Sequence, residues 1–132
     1  MSQGPVRIAV LGAGNAGHAT AADLSLAGAH VCLYESPEFS QNLMHIRERG
    51  GIELTGIGRT GLARVEVTTD IAEAVHGAAC IFVVTQALAH ERLAGLCAPH
   101  LVDGQAVILF TGYGDSLIFR AACDRLGRAA GY

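Results

Sequence analysis

Tryptophan is absent from this chain, and aromatic residues make up only 5% of it. The apolar half of the sequence is therefore Ala, Val, Leu and Ile, which suits strands covered on both faces by small-residue helices. There is no basic patch: nine Lys and Arg are dispersed along a chain of net charge −3, which argues against nucleic acid as a partner. The four cysteines (Cys32, Cys80, Cys97, Cys123) form no C-x-x-C pair. Cys32 and Cys80 fall inside apolar strand patterns and read as small buried hydrophobes rather than metal or redox groups. Reduced, scattered cysteines fit the cytosol. No apolar stretch approaches the roughly 20 residues of a membrane span, and Met1 to Pro5 is too short and uncharged for a signal peptide. A cytoplasmic, membrane-free protein is expected. Metal-ligand spacing, a nucleophile elbow, Gly-X-Y periodicity, internal repeats and linkers are all missing, so no metal site is expected.

What is present is glycine, 17 residues against a usual share of roughly 7%, in 132 residues that have room for one domain and one core. Val6 to Leu11 is a short apolar run that stops at Gly12, as a buried parallel strand does. An alanine-rich helix is expected over Asn15 to Ala27, with Gly28 at its stop, then a second strand over His30 to Glu35. Ser36-Pro37 looks like an N-cap and first helical position, and Phe39, Leu43 and Ile46 recur at helical spacing before Gly50-Gly51. Ile52 to Val67 alternates around Gly56, Gly58 and Gly61, giving a hairpin or an elaborated third strand. Asp70 with Glu73 opens a short helix through Val75. A strand over Ala79 to Thr85 follows. A helix striped by Ala89, Leu93, Leu96 and Cys97 then runs to Pro99, followed by a strand over Ala106 to Thr111 and a helix from Ser116 to Leu126. Alternation of this kind predicts an α/β fold: a doubly wound parallel sheet in three αβα layers, a Rossmann-type dinucleotide-binding domain over residues 1–132.

Gly12-Ala13-Gly14-Asn15-Ala16-Gly17 matches G-x-G-x-x-G directly after the first strand and at the start of a helix. Gly12 would permit the tight turn, Gly14 the approach of a pyrophosphate to the backbone, and Gly17 close helix-to-sheet packing. Free N–H groups at the helix start, aided by its dipole, would meet the pyrophosphate. Glu35 ends the second strand about 20 residues later, where a carboxylate accepts hydrogen bonds from the adenosine ribose. The same charge would repel a 2′-phosphate, and no arginine follows before Arg47, so NAD is expected in preference to NADP. Thr85 and Gln86 lie beside the crevice where strand order reverses, as partners of the nicotinamide ribose or as an ordinary polar turn. Thr111, Gly112, Tyr113 and Gly114 end the next strand on the same edge. His90 and His18 are weighed as acid–base groups against exposed helix histidines, the simpler account. His45, His76 and His100 show no partner in the sequence.

Gly12-Ala13-Gly14-Asn15-Ala16-Gly17-His18-Ala19 with Ala21-Ala22-Asp23-Leu24 resembles the start of the octopine/nopaline (opine) dehydrogenase family. The resemblance continues through Leu33-Tyr34-Glu35 with Pro37 and Phe39, Gly51-Ile52-Glu53, Thr69-Asp70 with Glu73-Ala74-Val75, and Phe82-Val83-Val84 leading to His90. It implies an NAD(P)-dependent dehydrogenase acting on CH–NH bonds, in which the imine of an α-keto acid and an amino acid is reduced. It places the cofactor role on Gly12, Gly14, Gly17 and Glu35, with Thr85 and Gln86 as weaker candidates. The family's substrate domain and catalytic histidine lie beyond this stretch, so no catalytic residue is carried over, and the keto acid and amino acid are expected to meet a second domain outside it. The chain alone is expected to bind dinucleotide without turnover, because hydride transfer needs an enclosed second reactant. Apolar surface left bare near the last helix would favour a homo-oligomer. Glycerol-3-phosphate dehydrogenase, ketopantoate reductase and a stand-alone nucleotide-binding module are the alternatives.

Overall fold

The computed structural model describes residues 4–56, 58–85 and 89–109, without the side chain of His90. Gln86, Phe110 to Gly114, Cys123 and the helix expected from Ser116 to Leu126 lie outside the described residues.

Five parallel strands form the main sheet. They are β1 (Arg7–Leu11), β2 (His30–Tyr34), β5 (Glu66–Thr68), β6 (Cys80–Val83) and β7 (Ala106–Leu109), in the spatial order β5-β2-β1-β6-β7. β1 is the pivot: Val10 pairs with Leu33 on one side and Phe82 on the other. The chain winds outward from β1 in one direction, returns, and continues in the other, so the order reverses between β1 and β6. The helices are α1 (Asn15–Leu26), α2 (Met44–Arg49), α3 (Ile71–Val75) and α4 (His90–Cys97). A 3-10 segment, Pro37–Leu43, precedes α2, and another, Ala98–His100, follows α4.

Both faces of the sheet are covered, which is why the strands read as unbroken apolar runs. Ile8, Val10, Val31 and Leu33 pack with Ala21 and Ala22 of α1, with Leu43 and with Ile46 of α2. Ala9, Leu11, Cys32, Tyr34, Ile81 and Val83 point the other way, onto Ala74 and Val75 of α3 and Leu93, Ala94 and Cys97 of α4. The three-layer arrangement expected from the sequence is the one observed.

Ile52 to Val67 resolves into both of its expected forms. Residues Ile52–Leu54 (β3) and Gly61–Ala63 (β4) pair as an antiparallel hairpin, after which β5 joins the main sheet beside β2. The hairpin lies against α1, where Ser25 Oγ donates to the Arg64 carbonyl at 2.7 Å and Arg59 meets Asp23 at 2.8 Å. Asp70 caps α3 as expected, accepting from the Ala72 N–H at 3.0 Å.

The segment after β2 departs from expectation. Pro37 does stand at the first helical position, but Ser36 makes no side-chain cap bond and the chain kinks at Phe39 (φ −116°, ψ 23°). The kink takes Phe39 out of the stripe that buries Leu43 and Ile46, leaving it 50% exposed. Leu96 likewise stands 39% exposed at the edge of the α4 stripe, whereas Leu93 and Cys97 are buried.

Candidate functional site

A cleft of about 420 Å³ opens where the strand order reverses. Its floor is Gly12, Ala13 and Gly14, at the turn from β1 into α1. One wall comes from the end of β2 and the 3-10 segment: Glu35, Glu38, Phe39 and Asn42. The other comes from the end of β6 and from α4: Thr85, Arg92, Leu93 and Leu96.

The three glycines of the turn differ in what constrains them. At Gly12, φ is +116° and an added Cβ would lie 2.6 Å from Thr85 Cγ2. At Gly17 an added Cβ would lie 1.7 Å from the Gly12 carbonyl oxygen, so α1 packs directly on the turn. Neither position tolerates a side chain in this backbone. Gly14 is different: it has an extended backbone (φ −81°, ψ −166°), and an added Cβ would meet nothing within 4 Å. The protein's own packing does not demand glycine there. Asn15 and Ala16 open α1 on the exposed side of the turn, and Asn15 lines an adjoining cavity.

Glu35 makes contacts within the protein that the sequence did not announce. Its Oε2 accepts from the Ala13 N–H at 3.1 Å and from Asn42 Nδ2 at 3.2 Å, while Oε1 accepts from the Ser36 N–H at 2.9 Å. The carboxylate thus ties the end of β2 to the glycine turn. A carboxylate offers about four acceptor positions, so these three donors leave one open, on Oε1.

Arg92 Nη1 of α4 reaches Glu38 Oε1 at 2.7 Å, an exposed ion pair linking the two walls. Phe39 and Leu96 give those walls apolar surface. None of Glu38, Phe39, Asn42, Arg92 and Leu96 was singled out for the site from the sequence. The legible signal was that Phe39 and Leu96 stand at the margins of their stripes.

The structure thus brings Gly12, Ala13, Gly14, Glu35 and Thr85 to one cleft, with Asn15 and Ala16 at its edge and Gly17 beneath it. Gln86 lies outside the described residues. His45, without a partner in the sequence, has one in space: its Nε2 is 3.1 Å from His18 Nε2. Among the described residues no group of three or more His, Cys, Asp or Glu could hold a metal ion, and no helix is long and apolar enough to cross a membrane. Burial raises the Cys32 thiol to about 11 and also pushes Cys80 upward, so neither is poised as a thiolate nucleophile near neutral pH.

Comparison with known proteins agrees with this arrangement. An opine dehydrogenase from Arthrobacter sp. (strain 1C) is 40% identical over 114 residues, which are 85% of this chain and 31% of that protein. The chain therefore spans about a third of the length of that curated relative. An octopine dehydrogenase, solved with NADH and pyruvate, superimposes with a TM-score of 0.77 at 22% identity, over 95% of this chain and 34% of that one. A PanE/ApbA family ketopantoate reductase from Ralstonia eutropha JMP134 superimposes with a TM-score of 0.74 at 21% identity, over 95% and 40% of the two chains. At these identities the two structures establish a shared Rossmann-type fold. Residues 7–111, from the start of β1 to beyond β7, match a family of oxidoreductases, and the chain belongs to that family, NADP oxidoreductase, coenzyme F420-dependent.

Proposed function

We infer that this chain is the dinucleotide-holding part of an opine-type dehydrogenase. The observation that carries the reading is Gly14. The fold fills the space over Gly12 and Gly17 with its own atoms, yet leaves open the space over Gly14, at the mouth of a twelve-residue helix. A pyrophosphate set over Gly12-Ala13-Gly14-Asn15 would meet the first N–H groups of α1, including those of Asn15, Ala16 and Gly17, and the positive end of its dipole. The adenosine ribose would reach Glu35. The adenine ring would lie between Phe39 and Leu96, under the Arg92–Glu38 pair. Thr85 and Gln86 would stand on the nicotinamide side, next to β6.

The Glu35 carboxylate favours NAD over NADP, since a 2′-phosphate would bring like charge against it. When bound, the nicotinamide carries the hydride. The residues of this chain fix its position and orientation. The 40% identity to the Arthrobacter opine dehydrogenase supports reductive condensation of an α-keto acid with an amino acid as the reaction served. Among the described residues the cleft has no wall that encloses a second reactant beside the dinucleotide, which supports binding by residues 1–132 without turnover of substrate. Cys32, buried and outside any disulfide, suits the reducing cytoplasm.

Titration calorimetry of the purified chain with NAD+, NADH and NADP+ tests the reading. The expected result is one site per chain, with NAD+ tighter than NADP+ and no NADH oxidation when a keto acid and an amino acid are added. Absence of binding by every dinucleotide would refute it. Tighter NADP+ binding would remove the role given to Glu35 in choosing the cofactor.

A further inference from the structure

An ion pair bridges the two walls of the dinucleotide cleft. Arg92 Nη1 donates to Glu38 Oε1 at 2.7 Å, and the two residues belong to opposite walls, α4 and the 3-10 segment after β2. They are 54 positions apart in the sequence, so the contact exists only because the fold brings these walls face to face. The bonds of Glu35, by contrast, run to the floor at Ala13 and within its own wall, to Ser36 and Asn42.

Each charged residue has an exposed apolar companion. Phe39 follows Glu38 directly, turned outward by the kink in its segment. Leu96 comes one helical turn after Arg92, at i and i+4 on the same face of α4. Both walls therefore present an apolar patch with a charge beside it, and the two charges have closed on one another. The roots of the walls are firm, since Leu43 below the 3-10 segment and Leu93 next to Arg92 are buried. Only the tips of two long side chains need to move for the bridge to open. Those side chains are 64% and 51% exposed, so water competes for both and parting them costs little.

We propose that the Arg92–Glu38 pair is a strap across the adenosine end of the cleft, and that it sets how fast a dinucleotide enters and leaves. The proposal rests on the dinucleotide reading above. A purine held between Phe39 and Leu96 passes outward only when the strap parts, and the same holds for one arriving. Passage in either direction then scales with the fraction of time the strap is open. Losing the strap raises association and release by the same factor. An exposed pair of this kind shifts an open–closed equilibrium by about twofold to fivefold. A purely electrostatic role makes a different demand. Arg92 would then attract the phosphates of the dinucleotide and Glu38 repel them, so the two residues would act with opposite sign.

Stopped-flow mixing of NADH with the purified chain gives the association rate, and displacement of bound NADH by excess NAD+ gives the release rate. Arg92→Gln and Glu38→Gln should each raise both rates about twofold to fivefold, with affinity changing less than either rate. The double substitution carries the same net charge as the parent. It should exchange NADH as fast as either single variant and no faster, because one strap can be lost only once. Opposite effects of the two single substitutions, or a double variant that returns to the parent's rates, would mean that the charges act through their field, and the strap would be overturned. Unchanged rates in all three variants would overturn it as well. If NADH does not bind the parent at all, the dinucleotide reading falls and the strap falls with it. Normal binding with the wrong pattern of rates removes the strap alone.

Discussion

At the scale of single residues, the glycine turn separates what the fold requires from what a ligand requires. Gly17→Ala drives a methyl into the Gly12 carbonyl, which in this backbone would lie 1.7 Å away. Either α1 or the turn must retreat. Overpacking of this kind costs about 1–3 kcal/mol, so the melting temperature should fall whether or not dinucleotide is present. Gly14→Ala adds its methyl to open space with a backbone any residue adopts. The chain should melt as the unsubstituted protein does and bind dinucleotide at least about tenfold more weakly, roughly 1.4 kcal/mol. Thermal melts and calorimetry on the two variants decide the matter: a Gly14→Ala chain with full affinity would mean that nothing approaches the turn. Glu35 belongs at this scale too. Glu35→Gln replaces an acceptor with an amide that cannot accept from all three of its donors, so it should loosen the Ala13 turn as well as relax the preference for NAD+. Equal NAD+ and NADP+ discrimination before and after the change would remove the role given to this carboxylate.

At the scale of elements, one buried amide joins three segments. Gln105, 5% exposed, donates from Nε2 to the carbonyls of Val75 at 2.8 Å and Ala78 at 2.9 Å, and accepts from the Val102 N–H at 2.9 Å. It fastens the approach to β7 onto the end of α3. Gln105→Leu has similar volume and abandons all three groups, and each unsatisfied buried group costs about 1–3 kcal/mol. Urea denaturation should show a lower midpoint, and a midpoint within error of the parent would mean that water replaces the amide. Nothing in the sequence marks Gln105, because its partners are backbone groups brought together only by packing. β1, β2 and β6 were legible for the opposite reason: strands buried on both faces must be apolar throughout, and that run is visible without knowing any partner. β5 was harder to read. It has three residues, two of them not fully buried, and its neighbour β2 is fixed only once the crossover is made. The 3-10 segment deceived for a related reason. Phe39, Leu43 and Ile46 have helical spacing, but spacing does not report the kink that turns Phe39 into the cleft. The glycine turn and Glu35 were singled out from the sequence, and the structure brings them into contact; Asn42, Arg92 and Leu96 joined them only in three dimensions.

For the molecule as a whole, covering both sheet faces makes pH a probe of global stability. Cys32 sits in β2 at 1% exposure. Burial raises its thiol from 9.0 to about 11, with Arg7 opposing and Glu66 and Glu73 adding to the rise. Cys80, on β6, is raised in the same direction by burial. In the unfolded chain a free thiol ionises first, while the folded chain still holds the proton. The folded state thus binds more protons over that interval, and stability falls as pH increases. The Cys32 contribution is complete below about pH 9 and is lost progressively up to about pH 11, amounting to about 2–3 kcal/mol at 1.36 kcal/mol for each tenfold change in ionisation. Cys32→Ala removes the titrating group at the cost of a small cavity, which lowers stability by a similar amount at every pH. Urea midpoints measured with reductant across that alkaline range should therefore decline more steeply for the parent than for Cys32→Ala, the two curves converging near pH 11. All other groups are common to the two proteins and cancel in the difference. Parallel curves would mean that the Cys32 thiol ionises as easily inside the sheet as in the open chain, which a doubly covered central strand does not allow.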